Sequence, residues 1–163
     1  MKICTIAIAL SLASVAAHAD DATFATRSLT PETALAAARA ALEHCRKAGF
    51  QVAVAVVDRS GIVQVVLRDR FAGPHTVDVA TSKAWSAASF RTSTTALAGE
   101  TQPGKPMSGL RSLPRLLAAA GGQVIEGGGT VFGGIGVSGA PGGDADDACA
   151  IAGVKAIADA IAF

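Results

Sequence analysis

Hydrophobic positions change their period several times along the chain, and each change marks an element. Leu35, Ala38, Leu42 and Cys45 recur at three- and four-residue intervals, the period of one helix face. Thr30-Pro31-Glu32 stands just before them. A capping hydroxyl, a proline at the first helical position and an acid in the first turn predict the helix start; Gly49 predicts its end. From Gln51 to Asp58 the pattern becomes a Val/Ala run of strand length. Arg59-Ser60-Gly61 reads as a turn and Ile62 to Arg68 as a second strand, so the pair predicts a hairpin. Val54, Val56, Val63, Val65 and Val66 suit a sheet covered on at least one face.

Helical spacing returns after the turn at Gly73-Pro74. Thr76 to Phe90 is predicted as the central helix, with Thr76 placed to cap it and Asp78 near its positive end. Ala80, Ala84, Ala87 and Ala88 give it a small-residue face for close packing on the sheet. A short helix is predicted over Ser93 to Ala98, a Pro/Gly loop over Glu100 to Ser108, and a helical turn around Leu110 to Leu113. Leu116 to Ala119 and Gln123 to Glu126 read as short strands broken by Gly121-Gly122. Gly127 to Gly129 turns the chain into the last strand, Thr130 to Ser138. Asp144 is expected to cap the final helix, with Ile151, Val154, Ala158 and Ile161 towards the core. There is no internal repeat and no linker. The pattern describes one domain from Leu29 to Phe163, preceded by a loose polar arm from Asp20 to Ser28.

The first 19 residues follow another rule. Lys2 is followed by an almost wholly apolar run from Ile3 to Val15, and Ala17-His18-Ala19 has the small-x-small pattern of a signal-peptidase site. This is the pattern of a secretory leader cut after Ala19, too short for a membrane span. The expected location is the periplasm or outside the cell, with no membrane span in the mature chain. Loss of the leader removes Lys2 and leaves 13 basic against 13 acidic residues. Near-zero charge argues against a nucleic-acid partner or a polybasic membrane surface. With one Trp, six Phe and no Tyr, a base-stacking or sugar-stacking surface is not expected. Cys4 leaves with the leader. Cys45 and Cys149 remain, in a compartment that permits disulfides and too few for a zinc site of their own.

Familiar chemical motifs are thin. Gly134-Ile135-Gly136-Val137-Ser138-Gly139 matches GxGxxG by letter, but a dinucleotide site needs a βαβ unit around it, and here only one helix follows. Asp144, Asp146 and Asp147 at that helix start would repel a pyrophosphate. The glycines instead suit close approach of helices or a neighbouring subunit to the sheet. No nucleophile elbow, HExxH, paired-Cys metal spacing or P-loop occurs. Asp58 and Asp69 flank the hairpin without the spacing of an acid–base pair.

Four segments together resemble the GlcG/HbpS-like haem-binding (haem-degrading) family, related to the C-terminal domain of PduO-type proteins. They are VAVAVVDRSGIVQVVLRDR, GPHTVDVATSKAWSAASF, IEGGGTVFGGIGVSG and the Ala-rich helix after GGDADDACAIAG. The resemblance covers about Leu29 to Ile161. It implies an α/β (α+β) fold of α-β-α layers, profilin-like, with a five-stranded antiparallel sheet, and assembly into homo-oligomers. It implies haem as cofactor, with a corrinoid as the lesser choice. In the family's sheet the first and last strands are antiparallel neighbours, which brings Cys45 and Cys149 near each other. A disulfide between them is one outcome, two buried thiols the other.

For haem iron the resemblance directs attention to the histidines left after the leader, His44 and His75. His75, in the turn before the central helix, is the expected axial ligand. Many family members lack a histidine there, so His44 and Met107 stand as alternatives. Arg68, Arg70, Lys83 and Arg91 are the expected partners for the propionates; Trp85 and Phe90 are candidates to pack on the porphyrin. The first functional reading is an exported tetrapyrrole-binding protein for haem scavenging, buffering or redox sensing. The second is an enzyme or accessory protein for a small hydroxy acid such as glycolate, using the same pocket. The third is a structural oligomer with a vestigial pocket.

Overall fold

A computed structural model describes residues 24–163, so the leader and the first residues of the arm lie outside the described residues. Helix α1, Pro31–Lys47, starts as the sequence predicts. The Thr30 hydroxyl accepts the Thr33 N–H at 3.2 Å, and Pro31 opens the first turn. The hairpin follows as β1, Ala53–Asp58, and β2, Val63–Arg68. Asp58 closes its turn, accepting the Ser60 and Ile62 N–H groups at 2.8 and 2.9 Å. Then come α2, Thr76–Phe90, and α3, Thr94–Glu100, with a 3-10 turn at Ser108–Ser112. Strands β3, Gly122–Gly127, and β4, Thr130–Ser138, precede α4, Gly143–Ala156, and a last 3-10 turn at Asp159–Ile161.

The sheet is antiparallel, in the order β2-β1-β4-β3. It has four strands among the described residues, not five. The strand expected over Leu116 to Ala119 does not form, because that segment lies along α2: the Leu117 N–H donates to the Ser86 hydroxyl at 2.8 Å. Gly121-Gly122 therefore does not separate two strands. Gly122 opens β3, and a Cβ there would stand 2.6 Å from the Lys83 carbonyl oxygen on α2.

Helices cover both faces. On one, α1 and α4 pack over Val54, Val56, Ile135 and Val137. On the other, Ala80, Ala84 and Ala88 of α2 lie on Ala53, Ala55 and Val57. The GxGxxG letters acquire their meaning on this second face. A Cβ at Gly134 would collide with the Ala84 carbonyl, and one at Gly136 with the Ala80 carbonyl. The glycines let a helix backbone rest directly on the strand, which is the packing role the sequence suggests.

Cys45 of α1 and Cys149 of α4 form a disulfide, Cα–Cα 5.6 Å, spanning 104 residues. Several helix details differ from expectation. The residue before α4 is Gly142, so Asp144 sits in the first turn and does not cap. Thr76 also does not cap α2: its hydroxyl donates back to the Gly73 carbonyl at 2.6 Å, and His75 holds the N-cap position. Ile151 is 51% exposed, whereas Ile157 and Ile161 are buried. The face of α4 turned inward is fixed by Cys149 and Gly153 against α1, which rotates Ile151 outward.

Candidate functional site

The antiparallel order brings three connections to one end of the sheet. Ala53 pairs with Arg68 on one side and with Ser138 on the other. The start of β1, the end of β2 and the end of β4 are thus neighbours, and the loops that join them to α1, α2 and α4 surround a shared groove. Its volume is about 430 Å³, and Phe50, Gln51, Phe71, Gly73, His75, Ser138, Pro141 and Asp146 are among its lining residues. That volume lies within the range of small-molecule sites, roughly 300–1,000 Å³.

His75 stands at the lip. Its side chain makes no cap hydrogen bond to α2 and is exposed. The ring lies back over Gly73, where a Cβ would stand 2.8 Å from its Cε1. Glycine is needed at 73 for the imidazole to occupy that position. Phe71, 81% exposed, adds an unburied aromatic surface beside it. Deeper in, Gln51 Oε1 is buried with no hydrogen-bond partner, an orphan of a kind native folds rarely leave. A half-turn of that amide would place its NH2 group at the buried position and its oxygen where the nitrogen now stands.

Two ion pairs hold the walls. Asp69, buried at the end of β2, takes both Arg46 Nε and Nη2, at 2.7 and 2.9 Å, and the Arg70 N–H at 2.9 Å. The Arg46 hydrogen bonds hold its carboxyl at about 2, well below the usual carboxylate range. The pair fastens the β2–α2 connection to α1. The second pair is interior. Lys83 Nζ donates to Asp146 Oδ2 at 2.8 Å and to the Val137 carbonyl at 2.9 Å, and Asp146 Oδ1 accepts the Ala140 N–H at 3.0 Å. This links α2, β4 and the β4–α4 loop, and that loop is one wall of the groove.

The expected site residues separate. His75, Arg68 and Arg70 lie at this end of the sheet, but of the three only His75 lines the groove. Arg68 Nη1 donates to the Ala72 carbonyl at 2.8 Å, which orients it along the loop leading to His75. Lys83 does not join them at the surface: it is 4% exposed and its ammonium is taken by Asp146 and Val137. Trp85 lies further down α2, its indole against Gly61 of the hairpin turn and under the Arg115 guanidinium at 5.3 Å. Arg91 caps the far end of α2. At 1.5 Å per residue it is about 24 Å along the axis from His75. One helix carries all three residues, and helix length puts the last two beyond the groove. His44 is exposed on α1, and Met107 is exposed in the loop before the 3-10 turn; neither lines the groove.

Phe50, Gln51, Phe71 and Asp146 carry no signal in a linear reading except for Phe71, an aromatic beside a Gly-Pro turn. A larger groove, about 610 Å³, runs between α1 and β2 along Arg39, Leu42, Glu43, Arg46, Lys47 and Leu67. Two of its cations are already paired, Arg46 with Asp69 and Lys47 with Glu43, and it offers no His, Met or Cys.

Comparison with known proteins places the fold in a family. The family described as haem-degrading protein HbpS-like matches residues 29–155. The chain belongs to the HbpS-like family. A Streptomyces reticuli HbpS double mutant superposes with a TM-score of 0.78 at 42% identity, over 89% of this chain and 97% of that one. The crystal structure of a PduOC–haem complex superposes with a TM-score of 0.76 at 29% identity, over 80% and 96%. The corrinoid adenosyltransferase PduO of Salmonella typhimurium is 33% identical over 103 residues, 62% of this chain. This HbpS-like chain spans only 31% of that relative's length.

Proposed function

We propose that this chain is an exported haem-binding protein that holds the porphyrin in the groove at the end of β1, β2 and β4. The observation that carries the reading is His75: an exposed imidazole without a cap hydrogen bond, lining the groove in the space that Gly73 leaves open, in a fold that superposes on a PduOC–haem complex. The residues present fit the group. His75 would supply an imidazole nitrogen for the iron. Phe71 and Phe50 offer apolar surface to the ring. Arg68 and Arg70 supply donors for propionates, and the Gln51 amide adds one from within the groove. When bound, haem would supply redox and ligand-exchange chemistry at its iron; the chain's own task is to orient the ring and shield one face from water. Haem scavenging, buffering or redox sensing all begin with that step.

Export is supported by the leader from Met1 to Ala19 and by the Cys45–Cys149 disulfide, a bond that persists in oxidising compartments. Self-association is supported by apolar surface on the hairpin, where Ile62, Val63 and Val66 are 62%, 42% and 38% exposed.

Titration of the mature chain with hemin, beside His75→Ala, tests the reading. We expect saturable binding with a Soret band that shifts or disappears in the variant. Absence of saturable binding to the parent chain overturns the haem reading.

A further inference from the structure

We propose that a second, smaller site at the far end of α2 binds a small oxoanion between Arg59 and Arg91. Arg59 comes from the β1–β2 turn and Arg91 follows the last residue of α2. Both line a cavity of about 230 Å³ completed by Gly129, Thr130 and Val131 at the start of β4. That is smaller than a site for a drug-sized molecule. It suits a ligand of a few heavy atoms.

Charge is the first argument. Arg59 and Arg91 both line one cavity, both are exposed, and neither has an ion-pair partner among the described residues. Arginine does not shed its proton in proteins, so each brings a permanent positive charge to the cavity wall. The last carbonyls of α2 supply a partial negative charge at this end, less than the two cations bring. Guanidinium forks match the oxygens of phosphate or carboxylate in pairs, and the Thr130 hydroxyl offers a further donor.

Backbone conformation is the second argument, and it is independent of charge. Arg91 has φ 51° and ψ 41°, and it is the one non-glycine residue with positive φ among the described residues. The position after a helix is commonly glycine because an L side chain is disfavoured in the left-handed region. Here that position carries the side chain that lines the cavity. Strain kept at a residue with such a placement points to a function for its side chain.

About 24 Å of helix separates this cavity from His75, so the anion and haem bind independently and the two proposals fail independently. The test uses the disulfide-bonded chain without haem, with inorganic phosphate in one arm and glycolate in the other, against chloride at matched ionic strength. Thermal melts and calorimetry should show saturable binding and a rise in Tm for at least one anion; which arm responds identifies the source. Arg59→Ala and Arg91→Gly should each weaken binding at least tenfold while leaving the hemin titration unchanged. Glycine relieves the left-handed backbone, so Arg91→Gly should melt no lower than the parent without anion. That separates lost binding from lost fold. A response no larger than chloride's in both arms, a response retained in Arg91→Gly, or loss of hemin binding in either variant overturns the proposal.

Discussion

Asp69 shows how much one side chain does at the groove. It is buried and ties the β2–α2 connection to α1 through two Arg46 hydrogen bonds. Those bonds, more than the neighbouring charges, hold its carboxyl at about 2 against an ordinary value of 3.8. A depressed carboxylate stabilises the fold above its unfolded value and loses that contribution as pH falls through its folded value. We therefore expect urea stability to decline between pH about 4 and about 2, and the decline to be shallower in Asp69→Asn. An identical acid limb in parent and variant would remove this role. His75 behaves differently because its imidazole takes no part in the fold's hydrogen bonding, which leaves it for a ligand. The sequence placed His75 at the head of a helix and marked Lys83 as its companion. Spacing along α2 cannot tell which other element faces a side chain, and Lys83 faces Asp146 of α4, 63 residues away.

At the scale of elements, α1 and α4 are joined by the Cys45–Cys149 bond beside the groove. A closed loop of this length restricts the unfolded chain by about 4–5 kcal/mol on the chain-entropy model. Reduction, or Cys45→Ala with Cys149→Ala, should lower the urea midpoint accordingly; a loss below about 1 kcal/mol would show that the bond contributes little. Most elements were legible from periodicity because each is amphipathic in its own way: α1 through Thr30 and its apolar stripe, the hairpin through its valines, α2 through its alanines. The expected neighbour relation of Cys45 and Cys149 followed from family topology. The extra strand was misread because Leu116 to Ala119 is apolar for a different reason, contact with α2, with Ser86 satisfying the Leu117 N–H. Ile151 was misplaced because the disulfide sets the rotation of α4, and no local pattern records that.

At the scale of the whole molecule, α2 runs between the groove and the small cavity. Its N-terminal end presents His75 and Phe71 to a groove made by three loops; its C-terminal end presents Arg91 to a small polar cavity with Arg59. The close seat of α2 on Gly134 and Gly136 fixes both ends at once. The groove itself was only partly legible, since Phe50 with Gln51, Phe71, and Asp146 come together from three separate segments. The proposed axial ligation by His75 is open to imidazole rescue. His75→Gly is titrated with hemin and its Soret and EPR spectra are recorded before and after free imidazole is added. We expect a spectrum unlike the parent's that returns to it with imidazole. A parent-like spectrum in His75→Gly before any imidazole is added would contradict it and assign the iron to another residue.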